Sequence, residues 1–287
     1  FGFFLLGTND TLFIVAMLIF SNEAYKQIED KENPSMPLMW CALIVAFFTR
    51  ELIYIYIPLV LLSVYLIAQK KVNLLQKWYI PTVLFAILIA INMPCIEKNH
   101  RLSYDDKKPP TGVRSTWPQR QYLAQLLVND GKIANNTHQS WQETDAYLKL
   151  HGENSLPKTT GAGIFFDYKL TVIEFFKDFV SSIVLSIRQT GLILIFVFSF
   201  VLLAIFKRKI TTNLLLPFAS LFIVGVFSFI IISYVETRWL MVAYLLAVLY
   251  YSDLEIDKKI PKRLLQINHL VLILVMLYGS YKVVLKL

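Results

Sequence analysis

The chain has 287 residues, of which 56% are hydrophobic and 17% charged, with a mean hydropathy of +0.55 and a formal net charge of +8. Soluble domains carry about 25% charged residues, so this composition excludes an ordinary soluble globule and a disordered chain. The apolar runs are continuous, several approach the ~20 residues of a membrane-crossing helix, and they lack the alternation of barrel strands. The sequence therefore predicts an all-α polytopic membrane protein.

Eight apolar segments mark the predicted membrane helices. They lie at residues 1–20, 38–49, 52–68, 79–95, 188–206, 213–234, 238–251 and 265–284. The second, third and seventh are shorter than a full crossing needs. Short apolar segments that meet at a polar junction are typical of broken helices, which protein or a water-filled cavity must surround. We divide the chain into N-terminal membrane helices (1–96), an extracytoplasmic loop with amphipathic helices (97–187) and C-terminal membrane helices (188–287).

Basic residues predict the orientation. Lysine and arginine concentrate in four connections, which all fall on one side if every segment crosses: 21–37, 69–78, 207–209 and 258–263. By the positive-inside rule this side is the cytoplasm or its equivalent. The stretch 97–178 then lies outside and is nearly neutral. The positive net charge therefore reflects topology, and we predict no nucleic-acid partner.

The outer stretch contains helical patterns. One predicted helix begins at Trp117 and ends near Asn129, and a second lies near Trp141. We expect the run Gly161-Ala162-Gly163 to break the chain. An apolar stripe then predicts a helix in the membrane interface; it consists of Leu170, Ile173, Phe176 and Val180. Two readings stay open, a packed cap over the bundle and a lid over a membrane-facing cavity.

Two polar junctions interrupt the apolar segments on the outer side. Arg50 and Glu51 form one, and Glu236 and Arg238 form the other. A charge at mid-bilayer costs roughly 2.5–3.5 kcal/mol, and less near the interface. Each junction is therefore either a self-neutralising ion pair that anchors a helix end or an anion site, in which arginine binds phosphate through paired hydrogen bonds. The presence of two such junctions on one face raises the anion site to an equal alternative, and both readings stay open.

Further candidates are few. Asp10 either caps the first helix or faces a cavity, where it would bind a metal or a substrate hydroxyl. His100 and Arg101 follow the fourth segment on the outer side and are candidates to contact a polar head group. The sequence has no HExxH motif, phosphate-binding loop, dinucleotide fingerprint or nucleophile elbow. Nothing in it indicates ATP use, nicotinamide chemistry or serine hydrolysis, and we predict no certain cofactor.

Three stretches resemble the GT-C superfamily of membrane glycosyltransferases. Residues 7–20, GTNDTLFIVAMLIF, are similar to that family's acidic-then-apolar helix. Residues 40–51, WCALIVAFFTRE, followed by an apolar run that holds Pro58, resemble its unit of two short helices joined by Thr-Arg or Thr-Lys. Residues 236–246, ETRWLMVAYLL, are similar to its Glu-x-Arg-Tyr start of a late helix, with Trp239 in place of tyrosine.

The resemblance implies a transferase that takes a sugar from a polyprenyl-phosphate donor on the extracytoplasmic side. By analogy Arg50 and Arg238 bind the lipid phosphate, with His100 and Arg101 as further candidates. Asp10 and Glu236 are the candidate catalytic carboxylates; Glu236 would orient Arg238, and Asp10 would line the cavity.

The chain departs from the family pattern in one respect. The family carries its catalytic Asp or Glu in the first outer loop, and the sequence predicts that this chain begins downstream of that loop. We therefore expect either a missing N-terminal part or a loss of catalysis. Whether a divalent metal takes part is open.

The alternatives are a non-catalytic subunit of a membrane complex, which would dock protein partners through residues 97–178, and a transporter or lipid-handling protein. We predict a multi-pass protein that contacts membrane lipid. A bacterial plasma membrane is the favoured location, and an organelle membrane is the alternative.

Overall fold

The computed structural model describes residues 9–31, 33–99, 102, 110–135, 137–208, 214–232 and 235–284. In that part of the chain every regular element is a helix. In chain order the helices are α1 (Asn9–Ile28), α2 (Met36–Thr49), α3 (Ile53–Gln69), α4 (Tyr79–Asn99), α5 (Trp117–Asn129), α6 (Trp141–His151), α7 (Thr160–Phe166), α8 (Tyr168–Thr190), α9 (Ile193–Phe206), α10 (Leu215–Phe229), α11 (Thr237–Ile256) and α12 (Lys262–Val284). The all-α class predicted from the sequence is confirmed for these residues.

Among the residues that the structure describes, three helices are long and apolar enough to cross a membrane, namely α4, α11 and α12. Four more are apolar but shorter: α2, α3, α9 and α10. These helices, with the composition, indicate a helical membrane protein. A helix overlaps each of the eight predicted segments, but eight crossings remain a prediction.

α1 continues past the predicted end of the first segment at residue 20. Glu23 explains the extension, because its carboxylate is buried and doubly paired. It lies 2.9 Å from Lys26 Nζ and accepts a 2.7 Å hydrogen bond from the backbone N–H of Ser35. Ser35 in turn caps α2 by accepting from the N–H of Leu38. A polar contact inside α1 therefore fixes both the helix end and the start of α2.

The break between α2 and α3 falls at the predicted polar junction. Arg50 is extended, with φ −147° and ψ 135°, and its N–H donates to Ala46 O, which ends α2. The N–H of Ile53 then donates to Arg50 O, and α3 begins there. The break lets the Arg50 side chain leave the helix axis.

The chain forms two compact units. The first contains residues Phe1–Asp105, Ile183–Ile223 and Arg238–Leu287, and so unites the N-terminal and C-terminal membrane helices. The second contains Asp106–Ser182 and Val224–Thr237. Its buried core joins the predicted outer loop to the segment after α10 and consists of Tyr122, Leu123, Leu148, Leu156 and Ile231.

Capping fixes the helices of the second unit. Thr116 and Gln119 form a capping box at α5, and Ser140 and Glu143 form another at α6. The predicted break at residues 161–163 is wrong, because these residues lie inside α7. Thr159 caps that helix, and a Cβ at Gly163 would lie in ordinary contact with Pro157 and Tyr122. Tertiary packing therefore outweighs the low helix propensity of glycine here.

Candidate functional site: two arginines on one buried carboxylate

The first compact unit brings three of the predicted site residues together. Arg50 Nη2 lies 3.1 Å from Asp10 Oδ1, and Arg238 Nη1 lies 3.0 Å from Asp10 Oδ2. The Asp10 side chain is only 4% exposed, whereas those of Arg50 and Arg238 are 13% and 35% exposed. One buried carboxylate therefore holds two guanidinium groups that come from distant parts of the chain.

A different structural feature positions each member of this trio. Asp10 lies in the first turn of α1, where the helix dipole favours a negative charge. Arg50 leaves the break between α2 and α3. Arg238 lies in the first turn of α11, where the same dipole disfavours a positive charge. Asp10 compensates that unfavourable placement, because it supplies the counter-charge at close range.

Two aromatic residues close in sequence to Asp10 and Arg50 pack against each other. Phe13 lies one helical turn after Asp10 and is buried, and its ring centroid is 5.5 Å from that of Tyr56 in an edge-to-face arrangement. Tyr56 is fully buried, and its hydroxyl has no hydrogen-bond partner among the described residues. A buried hydroxyl without a hydrogen-bond partner costs about 1–3 kcal/mol, so the packing of the ring has to offset that cost.

The trio carries an excess of positive charge. Two guanidinium groups and one carboxylate sum to a formal charge of +1. Arg238 is also the most exposed member of the trio, at 35%. Such an arrangement can bind an anion, and a phosphate oxygen suits the planar arginine donors in a site of low dielectric.

Glu236 belongs to the second compact unit, although it precedes Arg238 by only two residues. Its carboxylate influences His138 in that unit. Partial desolvation and the Arg120 guanidinium lower the pKa of His138, and Glu236 opposes the shift. The predicted role of Glu236 in orienting Arg238 stays a prediction.

Two candidates and the metal question remain. His100 and Arg101 lie outside the described residues. Within the described ranges, no group of three His, Cys, Asp or Glu side chains is close enough to hold a metal ion.

Sequence reasoning missed a second polar contact between α1 and α11. Asp253 Oδ2 accepts a 2.8 Å hydrogen bond from the Tyr25 hydroxyl and lies 2.9 Å from Lys31 Nζ. Several acids lie at each of these helix ends, among them Glu23 and Glu29 near Tyr25 and Glu255 and Asp257 near Asp253, so composition alone could not select the pair. No periodicity could have paired them.

The second unit contains a polar cleft of about 400 Å³ that the sequence did not predict. Three basic and two acidic side chains line it, namely Arg114, Lys149, Lys158, Asp145 and Glu153. The Asp145 carboxylate is already hydrogen-bonded within the protein, because it accepts from the backbone N–H groups of Arg114 and Ser115 at 3.1 and 2.8 Å.

We compared the chain with protein-family models, curated proteins and solved structures. No protein-family model, curated protein or solved structure significantly matches the chain.

Proposed function

We propose that this protein is an integral membrane glycosyltransferase of the GT-C type, which moves a sugar from a polyprenyl-phosphate donor to an acceptor on the extracytoplasmic side. The observation that carries the proposal is the convergence of Arg50 and Arg238 on Asp10. Asp10, Arg50 and Arg238 come from three stretches that resemble that superfamily and are far apart in sequence, and the three residues meet in one partly exposed cluster.

The proposed chemistry follows from the charges. Transfer of the sugar leaves negative charge on the donor phosphate, and fixed arginine donors in a low-dielectric site stabilise that charge. Arg238 is the more accessible donor, and Arg50 lies deeper. Both carboxylate oxygens of Asp10 are already paired with arginine. The geometry therefore favours Asp10 as the residue that positions the two arginines, rather than as the base that deprotonates the acceptor.

The experiment is a comparison of single arginine variants in proteoliposomes. Arg50→Ala and Arg238→Ala each leave Asp10 with one arginine, so neither strands an unpaired buried carboxylate. We expect both variants to lose at least about tenfold in binding of undecaprenyl phosphate, because each removes a charge-assisted contact of about 1.5–3 kcal/mol. Arg263→Ala is the matched control, since Arg263 is exposed and lies at the start of α12, on the predicted cytoplasmic side.

Sugar transfer provides the second readout. Membranes that hold the full chain would be supplied with a pool of radiolabelled polyprenyl-phosphate sugars, and transfer to endogenous acceptors would be counted. The proposal expects transfer by the unaltered protein and by Arg263→Ala, and none by Arg238→Ala. Transfer and lipid binding that are unchanged in Arg50→Ala and Arg238→Ala would refute the role of the trio.

A non-catalytic subunit is the alternative, and one observation favours it. Both carboxylate oxygens of Asp10 already have a guanidinium partner, as in a purely structural ion-pair cluster. Under this alternative the arginines only fasten α1, α11 and the break after α2. Deletion of residues 117–150 would then release protein partners from the purified complex, whereas Arg238→Ala would leave them bound. Retention of all partners by the deletion variant would contradict the alternative.

A further inference from the structure

α8 has an inverted distribution of polar and apolar residues. Every residue of this helix that is buried is polar. These residues recur once per turn and are Thr171, Glu174, Asp178, Ser182 and Ser186. Its exposed side chains include six apolar or aromatic ones with exposures of 46–68%; they are Tyr168, Val172, Ile173, Phe176, Val180 and Val184.

The inversion is unfavourable in water. A surface helix of a soluble protein turns its apolar stripe to the core, and each large apolar side chain left in water forgoes about 1.5–3 kcal/mol of burial free energy. The buried face of α8 is nevertheless fixed by specific contacts. Glu174 accepts a 2.8 Å hydrogen bond from Asn129 and lies 3.3 Å from Lys177 Nζ. Thr171 donates to the backbone carbonyl of Ile164 at 2.8 Å. A non-aqueous phase must therefore cover the outer face.

Chain continuity identifies that phase. Only Gly191 and Leu192 separate α8 from α9, which is one of the apolar helices. Phe165 and Phe166 of α7 extend the apolar face at its other end, with exposures of 65% and 48%. The apolar face of α8 therefore leads along the chain directly into a predicted membrane segment.

The charges on the exposed side fit a lipid surface. Lys169 is exposed beside the apolar stripe, and Arg188 is exposed in the last turn of α8. Both are basic, and their long side chains can reach lipid phosphates while their stems lie along apolar surface. The acids of this helix that face inwards, Glu174 and Asp178, do not repel an anionic surface from the outer face.

We propose that α8 lies in the boundary between head groups and acyl chains of the outer leaflet, with Ile173, Phe176 and Val180 in contact with acyl chains. Interfacial helices of this type bury their apolar face about 5–10 Å into that boundary. The inward polar face then stays with the protein. This inference does not depend on the proposed transferase activity.

Site-directed spin labelling of the full chain in proteoliposomes tests the proposal. Cys41 and Cys95 are replaced by alanine, and single cysteines are introduced as Ile173→Cys, Phe176→Cys and Val180→Cys. Leu150→Cys is the matched control, since Leu150 is an apolar side chain that is 80% exposed on α6. Each label is probed by oxygen, which concentrates in the bilayer, and by a water-soluble nickel chelate.

We expect the ratio of oxygen to nickel accessibility to be several-fold higher at all three α8 positions than at Leu150. A ratio at these positions equal to that at Leu150 would place the face in water. Low accessibility to both reagents would show that a protein or a second copy of the chain covers it. Either result overturns the proposal, and three label positions keep the test informative if one variant does not fold.

Discussion

Asp10 and Arg238 are 228 residues apart in the chain and 3.0 Å apart in space, and the Tyr25–Asp253 hydrogen bond has the same separation of 228 residues. Two contacts with one offset fix α1 and α11 in parallel and in register. Fifteen residues of helix between the two contacts correspond to about 22 Å at a rise of 1.5 Å per residue. The arginine cluster therefore lies at one end of the helix pair, and the contact with Lys31 lies at the other.

The Asp10 end of this pair should dominate its stability. Asp10→Asn removes the counter-charge of two arginines, and we expect a loss of roughly 2–4 kcal/mol in the free energy of unfolding. The expected loss is smaller than that for breaking a fully buried ion pair, because Arg238 is partly exposed. Denaturant unfolding in detergent micelles measures it. The matched control is Asp130→Asn, which breaks a 2.9 Å pair with Lys132 whose side chains are 64% and 57% exposed. We expect a loss of under about 1 kcal/mol there, and equal losses would contradict the buried role of Asp10.

The Asp253 end should contribute less and act independently. Asp253→Asn weakens the contacts with Tyr25 and Lys31, which are partly exposed, and we expect a loss of about 1 kcal/mol. Because the two ends are about 22 Å apart, the double variant with Asp10→Asn should lose the sum of the two single losses within about 0.5 kcal/mol. A larger deviation in a double-mutant cycle would show that the ends are coupled through the helices.

The sequence predicted the membrane helices because their signal is local. Apolar runs of known length identify α4 and α12 without any tertiary information. The apolar run 238–251 is too short by itself, and α11 reaches the length of a crossing because the helix continues to Ile256. The break at Arg50 was also predictable, since a Thr-Arg-Glu run interrupts two short apolar segments.

The contacts that build the candidate site are not local. Asp10, Arg50 and Arg238 were each selected on their own, and the sequence paired each arginine with its neighbouring glutamate. The structure shows Asp10 as the shared partner of both. That pairing depends on the register of α1 against α11. The apolar residues on the two helices are similar in size, so the sequence periodicity does not determine this register.

The inward face of α8 makes stability depend on pH. Burial and the neighbouring Glu174 raise the pKa of Asp178 from 3.8 to about 7, and Lys177 opposes the shift. The folded state therefore binds this proton more tightly than the unfolded chain. Stability should fall as pH rises from about 4 to 7, by at most about 1.4 kcal/mol per pH unit, and then level off. Asp178→Asn should remove this decline in unfolding measurements at pH 4–8.

Asp145 provides a control of opposite sign. Its partial burial raises the pKa, but hydrogen bonds from Arg114 and Ser115 outweigh this effect and lower it below 3.8. The carboxylate therefore contributes stability above that value, which is lost as pH falls through the folded-state pKa. Asp145→Asn should cost about 1 kcal/mol at pH 7 and leave the slope between pH 4 and 7 in place. If Asp145→Asn abolished the decline of stability between pH 4 and 7, that decline could not be assigned to Asp178.

The two-residue turn between α8 and α9 requires a glycine at position 191. Gly191 has φ +65°, and an added Cβ would lie 2.6 Å from Asn268 Oδ1 and 3.0 Å from Leu272 Cγ. Asn268 is itself buried and accepts a 2.8 Å hydrogen bond from the N–H of Leu192, so it cannot move without losing that bond. Gly191→Ala therefore combines an unfavourable backbone conformation with a steric clash, and we expect a loss of about 2–4 kcal/mol in unfolding free energy.

Gly225 provides the matched control for this substitution. It lies inside α10 without a positive φ, and an added Cβ would meet no atom within 4 Å. Gly225→Ala should be neutral or stabilise by up to about 1 kcal/mol, because alanine has the higher helix propensity. Thermal unfolding of both variants in the same micelles separates the two effects. If Gly191→Ala unfolds at the same temperature as Gly225→Ala, then Asn268 and Leu272 of α12 do not restrict the side chain at position 191.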